Sequence, residues 1–210
     1  MPEKKYTYLA LGDSYTIGES VSILEDFPSQ TVQLLRKSGY DFLAPEILAM
    51  TGWTTKDLLE TIQKTKLLSS YDYITLLIGV NNQFQEIDIN EYKKDFEALL
   101  KKAISLAGDK TRHVFVLSIP DWGATPFAED RLSNGKTKDR RKISAEIDEY
   151  NMINQLLSRQ YKVHYIDITP GTREAARDES LLTNDKLHPS GKEYARWATP
   201  VFALISNALH

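Results

Sequence analysis

The sequence predicts an α/β protein, a three-layer α/β/α sandwich around a central parallel sheet of about five strands. Three observations predict it. Five short runs are nearly continuous in apolar or β-branched residues, helical apolar stripes separate them, and glycine and polar residues gather just after several of the runs. The runs are Tyr6–Leu11, Glu46–Met50, Tyr73–Ile78, His113–Ser118 and Lys162–Asp167. Stretches such as Ile74-Thr75-Leu76-Leu77-Ile78 and Val114-Phe115-Val116-Leu117 suit strands covered on both faces; a half-exposed hairpin would alternate.

The helices follow from spacing. Leu58, Leu59 and Ile62 begin an apolar face after Thr54-Thr55. Phe96, Leu99, Leu100, Ala103, Ile104 and Ala107 form one stripe, and Ile143, Ile147, Tyr150, Asn154 and Leu157 form another. Tyr194, Trp197, Ala198, Val201, Phe202 and Ile205 define a last helix, with Pro189 suited to its first turn and Pro200 expected to kink or split it. Residues 123–142 show no periodicity before Ile143 and contain the turn signal Ser133-Asn134-Gly135 and a basic run, 136–142. They read either as a mobile loop over a site mouth or as a solvated insertion with a charged helix start.

At 210 residues the chain is read as one domain, 1–210. Hydrophobic residues at 41% and charged residues at 26% are ordinary for a soluble globular protein. A formal charge of −3 gives no global attraction to nucleic acid or an anionic membrane. The absence of cysteine excludes disulfides and a thiolate nucleophile. No apolar leader segment precedes Tyr6, and no stretch approaches the ~18–20 apolar residues of a membrane span. The expectation is therefore a soluble, cytoplasmic protein, with its oligomeric state left open.

The chemistry-bearing residues sit where strands are expected to end, the edge at which open α/β sheets place their sites. The first run leads into Gly12-Asp13-Ser14. A serine on a strand-to-helix turn can expose its hydroxyl and offer its N–H to an oxyanion, although turn chemistry alone also favours these residues. Asp13 is expected to accept local backbone N–H bonds and fix that turn. A serine needs a base. His210 is the last residue, and His113 and His164 lie at or near strand starts. His188 lies in Asn184-Asp185-Lys186-Leu187-His188-Pro189, with Asp185 three residues earlier. In a turn that spacing lets the carboxylate meet the imidazole Nδ1–H; capping of the last helix is the other use for the pair. Gly52 after the second strand and Asn81 after the third can add oxyanion donors to the N–H of Ser14, and each is also an ordinary turn residue.

Together these blocks resemble the SGNH hydrolase superfamily, the GDSL-type esterases and lipases. Gly-Asp-Ser, Gly, Gly-x-Asn and Asp-x-x-His occur in the family's order across residues 12–188. The resemblance implies a flavodoxin-like fold and an ester hydrolase with Ser14 as nucleophile, His188 as base and Asp185 as its partner. It also implies an oxyanion hole of Ser14, Gly52 and Asn81. Two positions depart from the pattern: Tyr15 stands where GDSL has Leu, and Asn82 where an Asp is frequent. Both lie beside the expected pocket and bear on substrate. Tyr15, Trp53, Asn82, Phe84, Trp122 and Phe127 are candidate substrate-lining residues. No nucleotide-binding loop or metal-ligand cluster is present in the sequence, so no cofactor or metal is implied. The expected partner is a small-molecule ester: an acetylated sugar, a short-chain fatty ester or a lysophospholipid. An inactive small-molecule or carbohydrate-binding module, or a flavodoxin-like nucleotide binder, is the alternative.

Overall fold

The computed structural model describes residues 4–133 and 139–209. Its strands are β1 (Tyr8–Asp13), β2 (Glu46–Met50), β3 (Tyr73–Leu77), β4 (Val114–Leu117) and β5 (His164–Ile166). They form one parallel sheet in the order β2-β1-β3-β4-β5. Every residue of β1, β3 and β4 is buried, while the edge strands β2 and β5 are only partly so. That is the pattern expected of a parallel sheet sheathed by helices.

The helices are α1 (Ser14–Ile17), α2 (Phe27–Lys37), α3 (Thr55–Lys64), α4 (Val80–Phe84), α5 (Ile89–Leu106), α6 (Pro126–Ser133), α7 (Arg140–Tyr161), α8 (Thr169–Thr172) and α9 (Gly191–Leu209). α2 packs on α9, and α5 packs against both α3 and α7, giving the outer layers. The predicted stripes point inward: Phe96, Leu99, Leu100 and Ala103 of α5, Ile143 and Ile147 of α7, and Tyr194, Trp197 and Val201 of α9 are all buried. α3 starts in a capping box between Thr54 and Asp57. Among the described residues no helix is long and apolar enough to cross a membrane.

Strand boundaries differ from the sequence reading in an informative way. β1 begins at Tyr8 and runs on to Asp13, so the strand delivers the chain directly to Ser14; Tyr6 makes only an isolated bridge to Phe42. His113 belongs to a 3₁₀ turn, and Lys162 closes α7 with a left-handed φ of 57°. One helix expectation is corrected and one is narrowed. Pro189 lies before α9, in an antiparallel bridge with Leu182, rather than in its first turn. Pro200 does not split α9, which is continuous to Leu209. The carbonyl freed by the missing N–H is that of Arg196, on the exposed side of the helix, while Trp197, Ala198, Val201 and Ile205 are buried on both sides of the proline.

The described parts of 123–142 are regular rather than an irregular loop: a 3₁₀ turn at Trp122–Ala124 leads into α6, and α7 begins at Arg140 rather than at Ile143. α6 is short, and too few of its residues repeat for a periodic pattern to register. Arg140 ties the pieces together: its guanidinium donates to the carbonyls of Gly123 (2.7 Å) and Ala124 (3.0 Å) and pairs with Glu129. The predicted turn at Asn134-Gly135 lies outside the described residues.

Candidate active site

The strand order reverses between β1 and β3, and in such sheets the crevice opens beyond the carboxyl ends at that point. β1 ends there in Gly12-Asp13-Ser14. A Cβ on Gly12 would stand 2.0 Å from Thr16 Oγ1 and 2.4 Å from the Leu77 carbonyl, so the close approach of α1 and β3 requires glycine. Asp13 caps α1, its Oδ1 accepting from the Tyr15 N–H at 3.0 Å. Oδ2 is buried and has no hydrogen-bond partner among the described residues. Burial pushes the Asp13 carboxyl up to about 7, against the opposing pull of the Tyr15 N–H. Ser14 opens α1 and is itself largely buried.

Gly52, after β2, adopts a φ of 82°, in the left-handed region, and a Cβ there would meet nothing. The backbone conformation, rather than crowding, is what asks for glycine at this position. Asn81 lies in α4, just past β3. Its Nδ2 donates to the Trp53 carbonyl at 2.9 Å, which orients the amide and leaves a second N–H on the same nitrogen.

Asp185 and His188 lie in the loop before α9. His188 Nδ1 meets Asp185 Oδ2 at 2.7 Å. Asp185 Oδ1 accepts from the Leu187 N–H (2.9 Å), the His188 N–H (2.9 Å) and the Thr183 hydroxyl (2.8 Å), folding the loop around the carboxylate. Burial pushes this carboxyl up, but the His188 ring and the other donors outweigh it and hold it well below the usual carboxylate range. The remaining described histidines are elsewhere. His113 bonds the Asp72 carbonyl at 2.6 Å and stacks on Tyr73, and His164 stacks on Phe115.

Ser14, Gly52, Asn81 and His188 line one cavity of about 160 Å³, with Tyr15, Thr51, Val80, Phe84, Trp122, Phe127 and Leu187 as its other walls. Four of the six candidate lining residues are thus on the cavity. Two are not. Asn82 is buried, with Oδ1 accepting from the Thr55 N–H (3.0 Å) and Nδ2 donating to the Thr55 hydroxyl (2.8 Å), so it anchors the start of α3. Trp53 packs its half-buried ring against the core and offers its carbonyl to Asn81. Thr51, Val80 and Leu187 were not singled out from sequence, although each adjoins a residue that was. Gln83 was also missed: its Oε1 accepts from Trp122 Nε1 at 2.7 Å, and its Nε2 donates to Glu146 of α7 at 2.6 Å, holding the indole against the cavity. Phe84 and Phe127 pack edge-on against that indole.

A parallel sheet in this order defines the three-layer α/β/α class, and a serine and an Asp–His pair sit beyond its carboxyl edge. The chain belongs to the GDSL-like lipase/acylhydrolase family, whose family model matches residues 10–196, and it is an ester hydrolase. No curated protein sequence matches it. Solved structures do. An acetylxylan esterase from Geobacillus stearothermophilus is 16% identical, with a TM-score of 0.72 over 95% of this chain and 94% of that one. A lipase/acylhydrolase from Enterococcus faecalis is 20% identical, with a TM-score of 0.70 over 98% and 96%. A psychrotrophic esterase from a Pseudoalteromonas species is 15% identical, with a TM-score of 0.69 over 97% and 98%. At these identities the likeness is one of fold.

Proposed function

We propose that the chain cleaves small carboxylic esters through an acyl-enzyme. The observation that carries the reading is that Ser14, Gly52, Asn81 and His188 share one cavity while Asp185 holds the His188 ring by Nδ1. Ser14 Oγ attacks the carbonyl carbon as His188 Nε2 takes its proton, and the N–H groups of Ser14, Gly52 and Asn81 receive the oxyanion. Asp185 keeps Nδ1 protonated, so Nε2 is the free base, and stabilises the imidazolium. The imidazolium protonates the leaving alcohol; a water then repeats the attack, and the acid departs.

The cavity walls favour a short, uncharged acyl group. Tyr15, Val80, Phe84, Trp122, Phe127 and Leu187 are apolar or aromatic, and among the described residues no lysine, arginine or carboxylate lines the space. An acetyl or short fatty acyl ester fits this better than a long chain. The acetylxylan esterase among the structural neighbours supports including acetylated sugars in the assay.

The test is a panel of nitrophenyl esters from acetate to decanoate, with acetylated sugars beside them. Rates should peak at short chains and vanish in Ser14→Ala. Asn81→Ala should lower kcat by roughly 10²–10³ with a smaller change in KM, because that donor acts mainly in the transition state. Equal rates in parent and Ser14→Ala would end the proposal.

A further inference from the structure

The loop that follows α1 touches both neighbouring parts of the site. Gly18 and Glu19 donate their N–H groups to the Ser14 carbonyl, the latter at 3.1 Å. The Glu19 carboxylate accepts a hydrogen bond from Thr51, which lines the cavity beside Gly52. The next residue, Ser20, has a φ of 66°. Residues other than glycine, asparagine and aspartate rarely adopt that conformation. Held so, the Ser20 hydroxyl donates to Asp185 Oδ2 at 3.0 Å, across 165 positions of sequence.

The oxygen it reaches is the one that matters. Oδ2 accepts from His188 Nδ1, whereas the donors to Oδ1 all come from residues 183–188 themselves. Among the described residues, Ser20 is the sole hydrogen-bond donor to this carboxylate from outside its own loop. The Asp185–His188 loop and the Ser14 helix otherwise belong to separate elements, and a displacement of about 1 Å between reacting groups can cost on the order of 10²-fold in rate.

We propose that Ser20 is a positioning residue: its hydroxyl fixes Asp185 Oδ2, and through it the His188 ring, relative to the nucleophile helix. This rests on the triad reading above. The left-handed backbone presents the hydroxyl to the carboxylate, so glycine at this position relaxes the backbone but deletes the contact.

The experiment compares Ser20→Gly, Ser20→Asn, Asp185→Asn and the Ser20→Gly/Asp185→Asn pair on a short-chain nitrophenyl ester, with Ser14→Ala in the same assay. Ser20→Gly should lower kcat roughly 10–100-fold with KM within about twofold, without lowering the unfolding midpoint. Ser20→Asn keeps a donor and tolerates the backbone, so it should recover most of the loss. In the Asp185→Asn background Ser20→Gly should cost little more, because the two act as one unit. Parent-like kcat in Ser20→Gly, or a loss that multiplies fully onto Asp185→Asn, overturns the proposal. The His188 Nδ1–H proton resonance gives a readout independent of turnover: it should move in Ser20→Gly and stay near the parent position in Ser20→Asn. An unchanged resonance in Ser20→Gly refutes the positioning role even if Ser14→Ala shows that the nucleophile lies elsewhere.

Discussion

Two carboxyl groups of the candidate site, Asp13 next to Ser14 and Asp185 on the His188 ring, are shifted in opposite directions. Asp13 is buried and pushed up to about 7, whereas Asp185, wrapped in donors, is held well below the usual range. For Asp13 the folded chain keeps a proton that the unfolded chain releases near pH ~4. Its contribution to stability is therefore full below about pH 4 and lost as the pH rises towards 7. Asp185 is the reverse: its contribution is present above about pH 4 and lost as the pH falls below it. Asp13→Asn keeps an acceptor for the Tyr15 N–H and removes the ionisation. Urea denaturation of parent and variant between about pH 4.5 and 8 should show the difference moving in the variant's favour as pH rises. A difference that does not change with pH would count against a carboxyl titrating in that place. Sequence reasoning reached the role of Asp13 as a local backbone acceptor, because an i, i+2 contact is a matter of turn geometry.

At the scale of elements, polar ties join parts of the candidate site to neighbouring elements. Asn82 links α4 to the start of α3 through both ends of its amide, and Arg140 staples the 122–124 turn to α7. Asn82→Ala leaves the buried Thr55 N–H without its acceptor and should cost roughly 1–3 kcal/mol. Asn82→Asp preserves that acceptor and can take a bond from the Thr55 hydroxyl. It should unfold nearer to the parent than Asn82→Ala does. Denaturant midpoints of the three proteins test this, and equal losses in both variants would mean that the hydrogen bonds to Thr55 do not hold α3. The sequence placed Asn82 beside the pocket because it follows Asn81. In a helix, adjacent residues point about 100° apart, and here one meets the cavity while the other is buried against α3.

For the whole molecule, the buried sheet carries the core and its carboxyl edge carries the candidate site, and the two should separate under mutation. Ser14→Ala, Asp185→Asn and His188→Ala change groups beyond the strands and should leave a folded protein with little or no turnover. Leu76→Ala, in the centre of β3, opens a cavity where the side chain is fully buried and should cost roughly 2–5 kcal/mol. Circular dichroism and thermal melts alongside the ester assay would test the division. Unfolding of the triad variants would show that the site loops also carry the fold.

What the sequence determined by itself was what short-range physics controls. Apolar periodicity set the kind and order of the five strands and of α3, α5, α7 and α9, since burying a face requires a matching repeat, but it did not mark α2. The three-residue spacing of Asp185 and His188 brought carboxylate and ring together within a single turn. The tertiary structure decided everything that depends on distant segments meeting. The strand order brought Ser14, Gly52 and Asn81 to one crevice, side-chain packing put Trp122 and Phe127 on its wall while leaving Asn82 and Trp53 off it, and loop closure carried Ser20 to Asp185. Such contacts join residues far apart in the chain, and their geometry is set by how whole elements pack, which no local window of sequence contains.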